Sequence, residues 1–179
     1  MIDQQKKEIR KQIREKKKKY SLLEKKANSK IIFEKIERLD DFMRAKTILV
    51  YWSMPDEVFT HDFVLRWYYK KKVLLPVVKG DELELKVFSG LEDMVKGEQY
   101  GIEEPVGESF YQFEEIDLII VPGVAFDKKN NRLGRGKAYY DKLLKESKAI
   151  KVGVCFDFQY LDEVPTDKHD IQMDTIIYN

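Results

Sequence analysis

The segment NRLGRGKAYYD, residues 131–141, contains residue types whose spacing could bind a polyphosphate. Three cations alternate with glycines, and no acidic residue precedes Asp141. The pattern predicts that a helix begins there, and each cation at a helix N-terminus costs a few tenths to about 1 kcal/mol. Guanidinium groups and glycine backbone both bind phosphate oxygens, so we expect a polyphosphate to supply the missing negative charge. The alternative is a solvated basic turn. The cations are Arg132, Arg135 and Lys137, and the glycines are Gly134 and Gly136.

The same segment differs from a Walker sequence at the residue that would bind magnesium. Gly136 and Lys137 are followed by Ala138, where the Walker sequence has Ser or Thr. Asp141, one turn into the expected helix, could supply an oxygen ligand instead. We therefore expect a carboxylate, rather than a hydroxyl, beside any metal ion at this loop.

Short β-rich segments that alternate with helical segments predict the fold that positions this loop. Several strand segments are apolar on both parities, as in strands covered on both faces, and the turn at 79–82 indicates one antiparallel hairpin. We predict an α/β fold with a single domain at residues 1–179, a mostly parallel sheet flanked by helices, in a Rossmann-like three-layer arrangement. Ligands of such sheets bind at the carboxyl ends of the strands. Strands are expected at 47–53, 73–78, 83–89, 117–126, 151–157 and 175–178, and helices at 60–71 and 137–148.

Two further helices are predicted before the first strand. Residues 3–19 have a helical composition, and Lys6, Arg10 and Arg14 are spaced one turn apart, so this basic N-terminal helix would carry a cationic stripe. Residues 21–24 (SLLE) match a capping box that begins a second, amphipathic helix, which continues to about Leu39. The residues alone leave open whether the stripe binds an anion or is a solvated helix face.

Charge and cysteine content limit the classes of partner. The 179 residues have a net charge of +1, with +6 on the first 20 residues and −5 on the rest. This balance argues against nucleic acid as a partner, although a nucleic-acid-binding module that uses the basic N-terminal arm is the alternative function. Cys155 is the only cysteine, which excludes an intramolecular disulfide and fits a cytoplasmic protein. No apolar run approaches the roughly 20 residues of a membrane span, so we expect a soluble protein with no membrane partner.

The run PGVAFDKKNNRLGRGKAYYDKLL, residues 122–144, resembles the signature of the 5-formyltetrahydrofolate cyclo-ligase family. Four other matches occur in the family's order: the Lys6-x-x-x-Arg10 pair, MPDEVFT at 54–60, YGIEEP at 100–105 and HDIQMD at 169–174. The resemblance therefore covers nearly the whole chain. Ala138 departs from it, because the family usually has glycine there. Either residue 138 has a negative φ, or its methyl group crowds the loop.

The resemblance implies an enzyme that uses ATP and Mg²⁺ to convert 5-formyltetrahydrofolate to 5,10-methenyltetrahydrofolate, releasing ADP and phosphate. Phosphoryl transfer to the formyl oxygen would give an iminium-like phosphate, which N10 of the folate then attacks. This chemistry needs positioning and charge neutralisation rather than a protein nucleophile. The folate partner can carry a polyglutamate tail, and we expect the enzyme to be a monomer. A relative that binds ATP but has lost this chemistry is a further alternative.

The resemblance also implies roles for individual residues. The implied catalytic residues are Arg135, Lys137 and Tyr140. The implied ATP-binding residues lie on the first helix and in the segment 131–141, which is called the glycine loop below: Lys6, Arg10, Arg132, Gly134, Arg135, Gly136, Lys137, Ala138, Tyr139, Tyr140 and Asp141. The implied folate-binding residues are Met54, Glu57 and Tyr100, where the Glu57 carboxylate would accept hydrogen bonds from the pterin. The implied metal ligands are Asp141 and Asp174.

Four of the residues in or near these matches have a structural alternative. Asp174 could cap a turn instead of binding a metal ion. Tyr51 and Trp52 could form an apolar wall for the pterin, although aromatic residues at strand ends are more often core. We expect Thr60 to be the N-cap of the helix at 60–71 rather than a catalytic residue.

Overall fold

The computed structural model describes residues 1–97 and 101–179. Within them, the chain forms five α-helices and twelve strands. The helices are α1 (Ile2–Lys17), α2 (Leu22–Glu37), α3 (Asp40–Arg44), α4 (His61–Trp67) and α5 (Tyr139–Lys145). The strands are β1 (Thr47–Val50), β2 (Lys72–Lys79), β3 (Glu82–Val87), β4 (Met94–Lys96), β5 (Glu103–Pro105), β6 (Ser109–Phe110), β7 (Leu118–Val121), β8 (Ala125–Asp127), β9 (Arg132–Leu133), β10 (Ile150–Cys155), β11 (Tyr160–Leu161) and β12 (Thr175–Tyr178).

The central sheet has seven strands in the order β12-β10-β7-β1-β2-β3-β6. Neighbouring strands from β12 to β2 are parallel, whereas β3 pairs antiparallel with both β2 and β6. The predicted mostly parallel sheet with one antiparallel hairpin is therefore confirmed. Two smaller sheets lie beside it, with the orders β11-β8-β9 and β4-β5.

Both faces of the central sheet are covered, as the apolar strands require. Alternate residues point to opposite faces, so Ile48 and Ile120 pack among side chains of α2, α3 and α4, whereas Leu49 and Ile119 share the other face with Leu144 of α5. All four residues of β1 and of β7 are buried. The helices therefore flank the sheet on both faces, which agrees with the predicted α/β class.

The N-terminal helix α1 packs on the three-stranded sheet β11-β8-β9 rather than on the central sheet. Ile13 of α1 is 2% exposed and packs with Ala125, Leu133 and Val164. At its other end the chain enters α2 through the predicted capping box, in which the Ser21 hydroxyl accepts the Glu24 N–H and the Glu24 carboxylate accepts the Ser21 N–H. β9 belongs to this three-stranded sheet and leads directly into the glycine loop. Since α1 packs on the same sheet, it lies beside that loop.

Some predicted boundaries were wrong. The single strand expected at 117–126 is two strands in different sheets, because the chain leaves β7 at Pro122 and turns at Gly123 against the ring of Phe126. The helix expected at 137–148 spans only Tyr139–Lys145, and its late start follows from the left-handed backbone of residue 138. The helix expected at 60–71 ends at Trp67.

Gly153 provides a test of how tightly the central sheet packs against the three-stranded sheet. A Cβ atom at this position of β10 would lie 2.6 Å from Cε1 of Phe126 and 3.1 Å from Cγ of Met173. We expect Gly153→Ala to lower the free energy of unfolding by about 1–3 kcal/mol through overpacking, measured by urea unfolding. Phe126→Leu removes the ring that the new methyl group would meet. The double variant should therefore lose less unfolding free energy than the sum of the losses in the two single variants. Additive losses would contradict the proposed contact.

Candidate active site

The glycine loop follows a turn that is fixed by one buried carboxylate. Asp127 is fully buried at the end of β8, and it accepts the backbone N–H groups of Lys129, Asn131 and Val164 at 2.9–3.0 Å. Burial alone would raise the pKa of Asp127, but these hydrogen bonds and one from the Asn131 side chain lower it below its ordinary value. Asp127 was missed by the sequence analysis, although it belongs to the sequence signature, because most of its contacts are with backbone groups, which residue types do not reveal.

Arg132 is buried beneath the loop instead of being presented to solvent. Its side chain is 6% exposed, Nε donates to the carbonyl oxygen of Pro122 at 2.7 Å, and Nη1 lies 3.7 Å from Oδ1 of Asp141. The guanidinium also lies over the ring of Tyr140, with Cζ 5.3 Å from the ring centre. In this structure Arg132 therefore joins the end of β7 to the start of α5, and its binding of phosphate stays a prediction.

Gly134 and Gly136 allow close contacts that other residues would prevent. A Cβ atom at Gly134 would lie 2.9 Å from Nη2 of Arg132, and Gly136 has a φ of 102°. The guanidinium of Arg10 lies directly beside the loop, because its Nε donates to the Gly134 carbonyl oxygen at 2.9 Å. The predicted approach of Arg10 from the N-terminal helix to the glycine loop is thus present.

Lys6 is directed to a different loop. Its Nζ lies 2.8 Å from Oδ2 of Asp167 and 2.6 Å from Oδ2 of Asp170, and the residue is 7% exposed. Burial alone would lower the pKa of Lys6, but the hydrogen bonds with both aspartates raise it above the ordinary value. Two carboxylates hold the ammonium group of Lys6 in this structure, and its binding of phosphate stays a prediction.

Arg135 connects the cationic loop with the predicted folate-binding glutamate. Its Nη2 lies 3.3 Å from Oε1 of Glu57 and 3.1 Å from both carboxylate oxygens of Asp56. Asp56 also accepts a hydrogen bond from Nζ of Lys17 at 3.3 Å. Residues separated by 78 positions in the chain thus form one charged cluster, which consists of Lys17, Asp56, Glu57 and Arg135.

Glu57 lies at the carboxyl ends of the central strands, where the fold predicts a ligand. Its side chain is 12% exposed, and Oε2 accepts the Met54 N–H at 2.8 Å. Burial raises the pKa of Glu57, although the bond from Met54 and the charge of Arg135 oppose that shift. A small cavity of about 10 Å³ lies beside it, lined by Tyr51, Pro122, Gly123 and other residues of the strand ends. It could hold about one water molecule.

The two tyrosines of the loop have different environments. Burial raises the pKa of Tyr140 above its ordinary range, and the charge of Glu57 adds to this shift. Tyr140 therefore retains its proton and can act as a hydrogen-bond donor. Tyr139 and Lys137 lie further out, with Tyr139 Oη 3.5 Å from the Gly80 carbonyl oxygen and Lys137 exposed to solvent. Lys137 is thus accessible to an anionic ligand.

The two predicted metal ligands have separate surroundings. Asp141 accepts the Ile171 N–H at 3.3 Å and faces Arg132, and burial raises its pKa. Asp174 precedes β12 at the amino ends of the parallel strands, and its Oδ2 accepts the Lys151 N–H at 2.7 Å. The structure therefore favours the backbone-capping alternative for Asp174. In residues 1–97 and 101–179, no group of three or more His, Cys, Asp or Glu could hold a metal ion.

The remaining predicted residues fall into three groups. Tyr51 and Trp52 are buried in the main core, which supports their core interpretation, and Met54 is partly exposed beside Glu57. Thr60 is the N-cap residue of α4, as predicted, although its buried hydroxyl donates to the Tyr51 carbonyl oxygen at 2.7 Å and does not cap a backbone N–H group of the helix. Tyr100 lies outside the described residues.

Ala138 has a left-handed backbone with a φ of 57°, so the alternative of a negative φ at this position was wrong. This conformation costs an L-residue about 1–2 kcal/mol. We expect Ala138→Gly to raise the free energy of unfolding by about 0.5–1 kcal/mol, measured in urea, because glycine removes the strain but also increases the entropy of the unfolded chain. Ala45→Gly is the control, since Ala45 has a φ of −62° and should lose stability. A loss in both variants would contradict the expected strain.

Comparisons with known proteins agree with the sequence signature along the whole chain. The model of the 5-formyltetrahydrofolate cyclo-ligase family matches residues 2–179. A probable 5-formyltetrahydrofolate cyclo-ligase of Schizosaccharomyces pombe is 35% identical over 166 residues, which are 82% of this chain and 81% of that protein.

Two solved structures resemble the fold described above. The structure of a 5,10-methenyltetrahydrofolate synthetase of Aquifex aeolicus has a TM-score of 0.86 and 36% identity, covering 97% of this chain and 89% of the other. That of a 5,10-methenyltetrahydrofolate synthetase of Mycoplasma pneumoniae has a TM-score of 0.78 and 29% identity, covering 96% and 97%. Within the described residues, no helix is both long enough and apolar enough to span a membrane. The chain belongs to the 5-formyltetrahydrofolate cyclo-ligase family.

Proposed function

We propose that this protein uses ATP to convert 5-formyltetrahydrofolate to 5,10-methenyltetrahydrofolate, releasing ADP and phosphate. The observation that carries the proposal is the ion pair of 3.3 Å between Arg135 and Glu57. It places a cation of the glycine loop beside a carboxylate that can accept hydrogen bonds from the amino and amide groups of a pterin. A phosphate donor and a folate bound at these two groups would therefore be neighbours. Family membership supports the same reaction.

The reaction begins with attack of the formyl oxygen on the γ-phosphorus, which breaks the bond to ADP. N10 then attacks the formyl carbon, the C–O bond breaks with departure of phosphate, and N10 loses its proton to leave the methenyl bridge. The protein's task is to align the two ligands and to neutralise phosphate charge. Arg135 and Lys137 are placed for the second task, whereas Glu57 orients the pterin.

Other residues support this arrangement from buried or partly buried positions. Arg132 holds the end of β7 against α5, and Arg10 binds the backbone of the loop between them. Tyr140, whose proton is retained, can donate a hydrogen bond to a phosphate or formyl oxygen. We assign Lys6 to the loop at 167–170, from which it could reach a nucleotide only if its two aspartates were released.

We propose Mg²⁺ as the metal ion that accompanies ATP. Mg²⁺ retains water and binds substrate phosphates with only one or two carboxylates, so it does not require a preformed cluster of acidic residues. Asp141, whose Oδ1 lies 3.7 Å from Nη1 of Arg132, fits such a role. When bound, the ion would neutralise charge on the transferred phosphate.

We further propose that the protein is a cytoplasmic monomer that accepts polyglutamylated folates. The unpaired thiol of Cys155, which is buried in β10, suits a reducing compartment. The nucleic-acid alternative is weakened by α1, because Lys6, Arg10 and Lys17 of this helix bind groups of the protein itself. Light scattering of the purified protein would test the monomer.

The function is tested by incubating the protein with 5-formyltetrahydrofolate, ATP and magnesium, and by following the near-ultraviolet absorbance of the methenyl product. Arg135→Ala should lower kcat by about 10²-fold, because a charge-stabilising donor is lost from the transition state. Lys148→Ala is the control, as this exposed lysine lies beyond α5. No absorbance change with folded wild-type protein would disprove the function, and unchanged kinetics of Arg135→Ala would remove Arg135 from the site.

Substrate binding should depend on the ionisation of Glu57. The pKa of Glu57 is raised by burial, so as the pH falls its carboxylate is protonated at a higher pH than an ordinary glutamate, and the affinity for folate should fall with it. Glu57→Gln should raise the Kd for 5-formyltetrahydrofolate by about 10- to 100-fold at neutral pH, since charge-assisted hydrogen bonds are lost.

Calorimetric titration between pH 5 and about pH 8 would measure both effects, with the range chosen to bracket carboxylate ionisation. The wild-type affinity should decrease toward acid pH, and the Glu57→Gln affinity should be nearly constant over this range. Equal pH dependence in both proteins would show that another group controls substrate binding.

A further inference from the structure

Lys17 is a buried cation on a helix whose other face is solvated. The side chain is 9% exposed at the last turn of α1, and its Nζ lies 3.3 Å from Oδ2 of Asp56. Burial lowers the pKa of Lys17, and the charge of Asp56 opposes this shift. The neighbouring Lys18, by contrast, is 66% exposed and forms a pair with Glu15 on the surface. A buried lysine is tolerated only with a partner, and Asp56 is that partner.

Asp56 is shared between this buried lysine and the arginine of the glycine loop. Its two carboxylate oxygens lie 3.1 Å from Nη2 of Arg135, and Oδ2 is also bound by Lys17. The side chain is 45% exposed and directly precedes Glu57 in the chain. Asp56 can therefore hold Arg135 from outside the cavity that Glu57 lines.

The carboxylate of Glu57 cannot accept the hydrogen bonds of a pterin while it remains paired with Arg135. Its Oε2 accepts the Met54 N–H and its Oε1 faces Arg135. The cavity beside it, at about 10 Å³, is far smaller than a pterin, so binding of the two-ring group requires displacement of surrounding groups. Arg135, which is 49% exposed and lies on a glycine loop, is well placed to move.

We propose that Asp56, anchored by Lys17, is the positioning residue of Arg135, retaining its guanidinium beside the site when a pterin replaces it at Glu57. This inference rests on the proposed function for the identity of the pterin. It gives Asp56 and Lys17 a role in the reaction without contact with either ligand. Arg135 would then remain within reach of the transferred phosphate instead of moving into solvent.

The kinetic test compares Asp56→Asn with Asp41→Asn, which removes the carboxylate of an exposed surface pair on α3. Asp56→Asn should lower kcat by about 10-fold through misplacement of Arg135, with the KM for folate changed less than about 2-fold. In an Arg135→Ala background it should have almost no further effect, because the residue it positions is absent. An equal loss in both backgrounds, or normal kcat in the folded Asp56→Asn protein, would overturn the proposal.

A second pair of variants tests the anchor. Lys17→Met should reproduce the loss of kcat in the Asp56→Asn variant, whereas Lys18→Met should be close to wild type. Methionine matches the length of the buried lysine stem, so circular dichroism should show a folded protein for both variants. Wild-type kcat in folded Lys17→Met would mean that Asp56 positions Arg135 without the lysine and would overturn the anchoring part of the proposal.

An NMR measurement that does not depend on catalysis separates this inference from the proposed function. In ¹⁵N-labelled protein, the Nε signal of Arg135, assigned by its loss in Arg135→Ala, should have a high heteronuclear NOE that falls in Asp56→Asn and Lys17→Met but not in the two controls. If wild-type protein lacks activity but shows this pattern, the function fails and the positioning of Arg135 stands. An NOE unchanged by Asp56→Asn would overturn the positioning, whatever the activity.

Discussion

Charged groups removed from water must find partners, and this requirement determines how distant segments of the chain meet. Lys6 binds two aspartates of the loop at 167–170, Lys17 binds Asp56, and Arg132 binds the end of β7 and Asp141. The contacts of Lys6 and Lys17 join α1 to segments far away in sequence, whereas Arg132 joins the glycine loop to nearby segments of the chain. The loops around the strand ends therefore obtain their positions from buried ionic and polar contacts as well as from the apolar core.

The same requirement changes the meaning of the basic N-terminal helix. A net charge of +6 on the first 20 residues suggests a surface for polyanions, yet the face of α1 that packs on the protein contains Lys6, Ile13 and Lys17. Two of these cations are neutralised within the fold, and Arg10 binds the glycine loop. The helix α1 is thus an integral part of the candidate site, and the cations on its outer face account for the remaining positive charge.

Strain and charge are both concentrated at the glycine loop. Ala138 has a positive φ, and Arg135 lies between the carboxylates of Asp56 and Glu57. Such features lower stability relative to an ideal loop and are common where a ligand completes the structure. The seven residues of α5 begin immediately after this strain, so the loop and the helix form one unit held by Arg132.

Local patterns in the sequence determined much of the architecture. The capping box at Ser21 and the hairpin between β2 and β3 depend on neighbours in the chain, and the doubly apolar strands predicted the covered parallel sheet. The signature at 122–144 likewise identified the cationic loop and its family. The split between β7 and β8 was missed because the residues on both sides of Pro122 and Gly123 are apolar, although a Pro-Gly pair is itself a turn signal.

Only the tertiary structure decided which charges form the candidate site and which support it. Arg132 and Arg135 are three residues apart and chemically identical, yet one is buried against Pro122 and the other pairs with Glu57. Lys17 and Lys18 differ in the same way. The identity of a residue fixes its charge and its hydrogen-bonding groups, which the sequence displays directly. Its burial and its partner depend on segments up to 164 positions away, and no local pattern specifies those contacts.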